Sequence, residues 1–510
     1  MTPATLWIAA LVLFQIIVRV SLALIALRLT GIIRPLREMP RWQFGLALLL
    51  LLPVSLGVHW AVGLLHLPTA GGAVQMDRAT ETAGNVLIFI SWVVIYLTVQ
   101  TAATLFVFQI CGLTQAKPKY SELALLGAII LVGLITTVID SGHSYYANPS
   151  ASLREIARNS ALLGIFALGA TVVIISGGID LSAGSTIAFA GTVCAAIMLS
   201  LAPKEVASLR PVGLPVICLA ILGTVAMGFL VGTLHAWLIT SVRLPPFIAT
   251  LATLVGLRSF ARALCEYTTA TLGSGKSSQI YFNDPFFKLL RDHVCIAVAA
   301  FCVLAIITWI ILNFTILGRH IYALGGNENA ARLSGIRTDN VKWFAYCFAA
   351  FTAAIAAVFY VANVSVAAPV DQARGHELNA IAAAVVGGCS LQGGVGTVSG
   401  SILGAIFLRV VIDAVAKVIK TGADVYEGMI VGVVVVIAVT FSQIQQVIAS
   451  GRKLLPGALG ICAIPVLAML SGMMALMTLG KWAGLATGLA AIILLSALKV
   501  YESSQSAAKV

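Results

Sequence analysis

Charge is scarce in this chain of 510 residues: Asp and Glu together number 19, and charged residues make up 10% against 60% hydrophobic. An average soluble domain carries about a quarter charged residues, so a water-facing surface over most of the chain is excluded. Redox and metal chemistry have little to build on. The nine cysteines form no CxxC and no metal-ligand spacing, and Cys111, Cys194, Cys218, Cys302 and Cys347 fall inside apolar runs, where cysteine acts as a small buried hydrophobe. Hydrolytic signatures are missing as well: there is no HExxH, no GxSxG between strand and helix, and no carboxylate pair within an apolar run. No cofactor and no metal is expected.

Apolar runs are what the chain has instead. Several reach the roughly 20 residues that a helix needs to cross a bilayer, which predicts an all-α polytopic membrane protein. Three runs (6–27, 44–65, 86–111) occupy an N-terminal extension, 1–120. Ten follow in a core, 121–450: 123–138, 161–175, 186–201, 214–239, 247–265, 294–312, 343–366, 380–386, 402–418 and 429–440. A hairpin (458–479, 483–498), joined by a tight Gly480-Lys481-Trp482 turn, and a tail make up 451–510, for about fifteen passes in all. The first run is not a signal peptide, because no basic residue precedes it and a basic cluster follows. Arg19 inside it reads as a snorkelling residue.

The net charge of +12 is dispersed through loops beside these runs, which fits the positive-inside bias and excludes a nucleic-acid partner. Arg28, Arg34, Arg37 and Arg41 put the first loop in the cytoplasm and the N-terminus outside; Lys499 and Lys509 accompany a cytoplasmic C-terminus. Three local expectations follow. Residues 145–159, with Leu153, Ile156 and Ala157 at helical spacing, form a short interfacial helix; Asp413 pairs with Arg409 on one helix; and the polar tail 502–510 is loose.

Two glycine-rich breaks interrupt the core. One is Ser176-Gly177-Gly178-Ile179-Asp180-Leu181-Ser182-Ala183-Gly184-Ser185, the other Gly387-Gly388-Cys389-Ser390-Leu391-Gln392-Gly393-Gly394-Val395-Gly396. Unwound backbone at membrane depth is tolerated only where it is buried in protein or lines a watery cavity. Paired interruptions point to a transporter's binding region, and close packing of helices through small residues is the other reading. The predicted loops give both breaks the same orientation, as an internal pseudo-repeat would.

Residues 270–277 fit a relaxed phosphate loop, but no strand precedes them and no helix follows, so the backbone cradle is not formed. The stretch 317–336 differs. Asn327 can cap a short helix that turns Ala330, Ala331 and Leu333 to one side, and Gly335 can end it. A short helix of this kind at the cytoplasmic surface suits a groove on a soluble motor.

The strings 176–185, Pro246-Phe-Ile-Ala-Thr-Leu, 317–336 and 382–396 resemble, in order and spacing, the permease subunits of ribose-type ATP-binding-cassette sugar importers, over about 123–448. That resemblance implies a ten-helix permease core in the bacterial inner membrane, working as a homodimer. A periplasmic sugar-binding protein feeds it, and a cytoplasmic double-cassette ATPase hydrolyses the ATP, so the chain itself is no enzyme. It implies that Glu328, Ala330, Ala331 and Gly335 lie in the loop seated on the ATPase. Gly178, Asp180, Ser182, Gly387, Gly388, Gly393 and Gly394 lie by the translocation path. Ser182, Ser185, Ser390 and Gln392 are candidate hydroxyl partners for a monosaccharide, with ribose the default. Asn379 stands where family members commonly carry an aspartate, and Ser259 replaces a usual glycine. The extra terminal spans have no counterpart in the usual member. The alternative, an ion-coupled secondary transporter, needs acidic groups within the membrane, and Asp180 and Asp413 are few for that role.

Overall fold

Long apolar runs leave the backbone few ways to satisfy its own polar groups in lipid, and the helix is the local one. The computed structural model describes residues 20, 41–66, 78–110, 120–140, 142–273, 275–419, 428, 432, 433, 436, 457–479 and 481–507. Apart from positions 20, 432, 433 and 436, the runs 6–27 and 429–440, with Arg19, lie outside those residues. Ten of the described helices are long and apolar enough to cross a membrane. By contacts the chain divides into two units, 1–418 and 419–510.

In the first unit the helices are Arg41–His66 (α1), Arg78–Ile110 (α2), Tyr120–Ile139 (α3), Ser144–Ala147 (α4), Pro149–Ile175 (α5), Ala183–Leu201 (α6), Pro203–Ala207 (α7), Leu214–Thr240 (α8) and Pro246–Leu272 (α9). A two-residue strand, Ile280–Tyr281 (β1), precedes Pro285–Asp292 (α10), Val294–Phe314 (α11), Ile316–Gly326 (α12), Glu328–Leu333 (α13) and Thr338–Val364 (α14). Strand Val366–Ala367 (β2) pairs antiparallel with β1, setting Ile280 opposite Ala367. His376–Val386 (α15) and Val398–Ile419 (α16) follow. Proline occupies the first or second position of α5, α7, α8, α9 and α10, where its missing N–H leaves nothing unpaired.

Burial sorts centre from rim. The most apolar windows of α5, α6 and α14 are 89%, 83% and 72% buried, whereas that of α3 is 6% buried. α14 packs on α8, α5 and α6; α9 packs on α6, and α15 on α5. Lipid removes the hydrophobic drive between helices, so small residues set these contacts. Gly228 and Gly232 on α8 lie against Ala350, Ala354 and Cys347 on α14, so close that a Cβ on Gly232 would stand 2.5 Å from the Cys347 Cα.

The pair α1–α2 packs on α11 and, through α1, on α5. Its interior is partly polar: Gln100 donates to Ser55 Oγ at 2.7 Å, and the Tyr96 hydroxyl meets the His59 ring. Gly84 on α2 accommodates the Leu289 side chain of α10.

Several sequence expectations change. The interfacial helix expected at 145–159 is divided: Ser144–Ala147 form α4, and after Asn148 residues 149–159 are the first part of α5, in which no breaker separates 149 from 175. The Asp413 carboxylate is taken by Lys417, 2.6 Å away, and by the Tyr145 hydroxyl at 2.7 Å, rather than by Arg409. Lys417 also lies over the Tyr145 ring, 4.2 Å from its centroid. Burial first, and the bond to Asp413 second, push the Tyr145 phenol well above its ordinary range, which keeps it a donor. An additional helix, α12, precedes the short helix α13.

In the second unit, Gly457–Leu479 (α17) and Lys481–Ala507 (α18) pack on each other along Gly472, Gly484 and Gly488. The tail expected to be loose continues as helix through Ala507.

The glycine seam generates a paired prediction. Gly232→Leu forces α8 off α14 and destabilises the protein by about 1–3 kcal/mol, the usual penalty of overpacking. Gly256→Leu, with nothing within 4 Å of its Cβ position, leaves stability unchanged. Thermal unfolding of both variants in detergent checks the contrast.

Candidate functional site

Each break begins as a helix terminus that must close its own last carbonyls. At the end of α5, Gly178 N donates to Val173 O and Gly177 N to Ile174 O, both at 2.9 Å, with Gly177 at φ 83°. At the end of α15 the pattern repeats: Cys389 N bonds Ala384 O at 3.0 Å and Gly388 N bonds Val385 O at 2.9 Å, with Gly388 at φ 91°. Helix α13 ends in the same way, with Ile336 N on Ala331 O at 3.1 Å and Gly335 N on Arg332 O at 3.0 Å. This double closure needs a left-handed residue just past the helix, which glycine adopts without strain. Gly335 provides it at φ 83°.

The breaks then meet. Gly394 N donates to Ile175 O at 2.8 Å, joining the second break to the end of α5. Gly325, in the last turn of α12, lies across both. A Cβ there would stand 1.8 Å from Ile175 O and 2.4 Å from Gly394 N, and one on Gly393 would stand 2.7 Å from Gly325 O and 2.8 Å from Gly177 Cα. Three chain segments thus cross backbone on backbone, an approach that any side chain blocks. Tyr322 adds a side-chain tie, its hydroxyl donating to Gly396 O at 3.0 Å. Burial, with Cys389 nearby, raises the Tyr322 phenol above its ordinary range, so it stays a donor at neutral pH.

The crossing lies at the root of the short helix. Asn327 accepts from Ala330 N at 3.0 Å and so caps α13. Glu328 takes Lys342 Nζ of α14 at 2.7 Å and Arg332 at 3.3 Å. Ala331 is buried whereas Leu333 is 90% exposed, and Ala330 is exposed. Ala330, Ala331 and Leu333 therefore do not share a face. Residues two apart on a helix point away from each other and residues three apart align, so Ala330 and Leu333 face outward while Ala331 turns into the protein.

The two breaks differ in what they present. Asp180 is 4% exposed and Ser182 and Ser185 are fully buried. Ser182 donates its N–H and its hydroxyl to Asp180 Oδ1, at 2.8 and 2.6 Å. The Ser182 hydroxyl also lies 3.3 Å from His235 Nε2, which is 2.7 Å from Thr253 Oγ1. Ser185 donates to Ser182 O at 2.8 Å. A Cβ on Gly178 would stand 2.4 Å from the Tyr346 hydroxyl. The first break is thus held by side chains of α8, α9 and α14. In the second, Gly387 packs on Gly400 of α16, Ser390 N donates to Val395 O at 2.9 Å, and Gln392 is exposed.

The structure brings Gly393 and Gly394 to Gly177 and Gly325, whereas Ser390 and Gln392 belong to the exposed tip. Sequence reading passed over Gly177 and Gly325 as site residues, although both stand in the quoted strings, and gave no role to His235, Thr253 or Tyr346. In the phosphate-loop look-alike, helix α9 runs into the segment as far as Leu272, and Lys276 pairs with Glu266 at 3.0 Å.

A family model described as "Branched-chain amino acid transport system / permease component" matches residues 152–439, more than half of the chain and inclusive of both breaks and α13. The chain belongs to this permease family. The permease is similar to the ribose import permease of Escherichia coli K12, with 32% identity over 315 residues, 62% of this chain and 90% of that protein. The ribose import permease of Bacillus subtilis is alike to the same extent. The galactofuranose transporter permease of Escherichia coli K12 is 30% identical over 295 residues, 58% of this chain and 80% of that protein. No solved structure matches. The likeness to ribose-type permeases carried by the motifs is upheld, and the permease is a transporter subunit rather than an enzyme.

Gly325→Ala tests the crossing. A methyl group 1.8 Å from Ile175 O has to push backbone aside, and overpacking of this kind costs about 1–3 kcal/mol. The expected outcome is a lowered unfolding temperature. Gly326→Ala, next to it with open space, is expected to be tolerated.

Proposed function

We propose that this permease is the membrane subunit of an ATP-binding-cassette importer that moves a monosaccharide, ribose or a related sugar, into the cytoplasm by alternating access. The observation that carries the reading is the crossing at Gly325. It roots the short helix α13 in both breaks, so force applied to α13 acts on both. The family description names branched-chain amino acids, but relatives covered to 80–90% of their length are ribose and galactofuranose permeases, which favours a sugar.

The partners are a double-cassette ATPase seated on Glu328–Leu333 and Gly335, a periplasmic sugar-binding protein, and a second copy of the chain. The N-terminus lies outside and the C-terminus in the cytoplasm. Leu333 supplies an apolar anchor of the kind that dominates such contacts. Ala331 seats α13 on the permease, and the Glu328–Lys342 pair braces it against α14. When the ATPase closes, α13 moves and carries Gly325 with it. Gly178, Asp180, Ser182, Ser185, Gly387, Gly388, Gly393 and Gly394 hold the two breaks beside the path, and Ser390 and Gln392 offer polar groups at the exposed tip. Ion coupling gains no support from the acidic residues, because Asp180 is engaged by Ser182 and Asp413 by Lys417 and Tyr145.

Uptake of labelled monosaccharides into proteoliposomes tests the function. It is expected to require ATP, the ATPase and the binding protein together, and uptake driven by an ion gradient without them contradicts the reading. Two variants test the docking helix. Leu333→Ala, which removes an exposed anchor, weakens ATPase association about tenfold, or about 1.4 kcal/mol. Gly335→Ala, at φ 83°, strains the helix end and raises the ATP consumed per sugar carried; normal stoichiometry in that variant sinks the coupling role.

A further inference from the structure

A third irregular stretch lies deep in the bundle, apart from both breaks. Residues 368–375 run as successive turns between β2 and α15. They lie against α6, a membrane-spanning helix. A Cβ on Gly191 would stand 3.0 Å from Gln372 Nε2, and one on Gly184 would stand 2.5 Å from Ala373 O and 2.1 Å from Glu377 Oε2. At a 1.5 Å rise per residue those glycines are about 15 and 25 Å from the Leu201 end of α6, so the turns sit well inside the membrane. Ala373 takes a left-handed φ of 53° and Gly375 one of 81°; for alanine this is a strained conformation of the kind that gathers at functional sites.

One guanidinium pins the segment. Arg258, near the middle of α9, donates through Nη1 to the carbonyls of Pro369 at 3.0 Å, Val370 at 3.1 Å and Gln372 at 3.1 Å. Both amide atoms of Gln372 in this held turn, and Oε2 of Glu377 in the first turn of α15, are shut off from solvent without a hydrogen-bond partner. Each such group carries a desolvation cost that a hydrogen-bonding partner would offset. Orphaned polar atoms on unwound backbone at membrane depth are what a discontinuous-helix solute site requires.

The chemistry selects the solute. The charged neighbours of Arg258 are Glu377, Arg374 and Asp371, so around the guanidinium both signs are present in equal number, which favours a neutral solute over an ion of one sign. Gln372 offers a donor and an acceptor and Glu377 an acceptor, which together suit vicinal hydroxyls of a neutral polyol. Glycine at 184 and 191, seven residues apart on α6, keeps the facing helix free of side chains.

We propose that the turn 368–377 is the solute-contact surface of the permease, with Gln372 and Glu377 binding sugar hydroxyls and Arg258 acting as a positioning residue. The proposal rests on the sugar-permease reading above and adds the site to it. The test uses the full transporter, with its ATPase and binding protein, in proteoliposomes supplied from outside with labelled ribose, or with labelled galactofuranose if ribose is not carried. Gln372→Ala and Glu377→Gln are expected to lower uptake about tenfold, the worth of one or two hydrogen bonds, and to raise the ATP consumed per sugar. Gln372→Asn is expected to recover part of the rate. A cysteine placed by Gln372→Cys is expected to react with a hydrophilic methanethiosulfonate reagent during turnover and to be protected by the sugar. Unchanged uptake in both first variants, or a loss accompanied by a lower unfolding temperature and no reaction at position 372, overturns the site. If the unsubstituted transporter carries neither sugar, the sugar reading above fails and the site falls with it, an outcome distinct from failure of the variants alone.

Discussion

The carbonyl of Ile175 ends a helix inside the membrane protein, and in lipid an unsatisfied carbonyl is too costly to leave. Gly394 N supplies the donor, and it can do so only because Gly325, Gly393 and Gly177 leave no side chain between the three backbones. Much of the site's arrangement follows from that one bond. The second break must reach the first, α12 must end where they meet, and α13 must begin three residues later at Glu328.

The functional consequence is mechanical. A short, capped helix braced by Glu328 and Lys342 stands on a junction that also holds both helix breaks. A packed junction of backbones has no soft side chains to absorb displacement, so movement at the surface reaches both breaks together. The buried Asp180, Ser182 and His235, with the half-buried Thr253, tie the first break to α8 and α9. The helices that frame the Arg258-pinned turn are therefore linked to the same junction.

Much of this was legible in the residues. Hydropathy located most of the spans, although the pass expected at 380–386 is only the eleven-residue α15, too short to cross a bilayer; the two glycine strings located the breaks, and Asn327 with Gly335 marked both ends of α13. What local spacing could not decide was decided by tertiary contact. Arg409 and Lys417 are each four residues from Asp413, and the choice fell to Lys417, which lies over the Tyr145 ring. Ala331 and Leu333 look alike in composition, yet helix geometry sends them opposite ways. Gly325 gave no sign of its role because its partners are 150 and 69 positions away, at Ile175 and Gly394. The turn 368–377 reads as an ordinary polar loop until its depth beside α6 is seen.

The central claim is that α13 and the second break move as one body. Pulsed electron spin resonance between labels at Ser334, just past α13, and Val395, both exposed, measures it in the assembled transporter with and without ATP. The account predicts one distance distribution that stays the same in the two states, while the distance from Ser334 to its counterpart in the second copy changes. A Ser334–Val395 distance that shifts when ATP binds contradicts it, because the crossing at Gly325 would then not hold the two together.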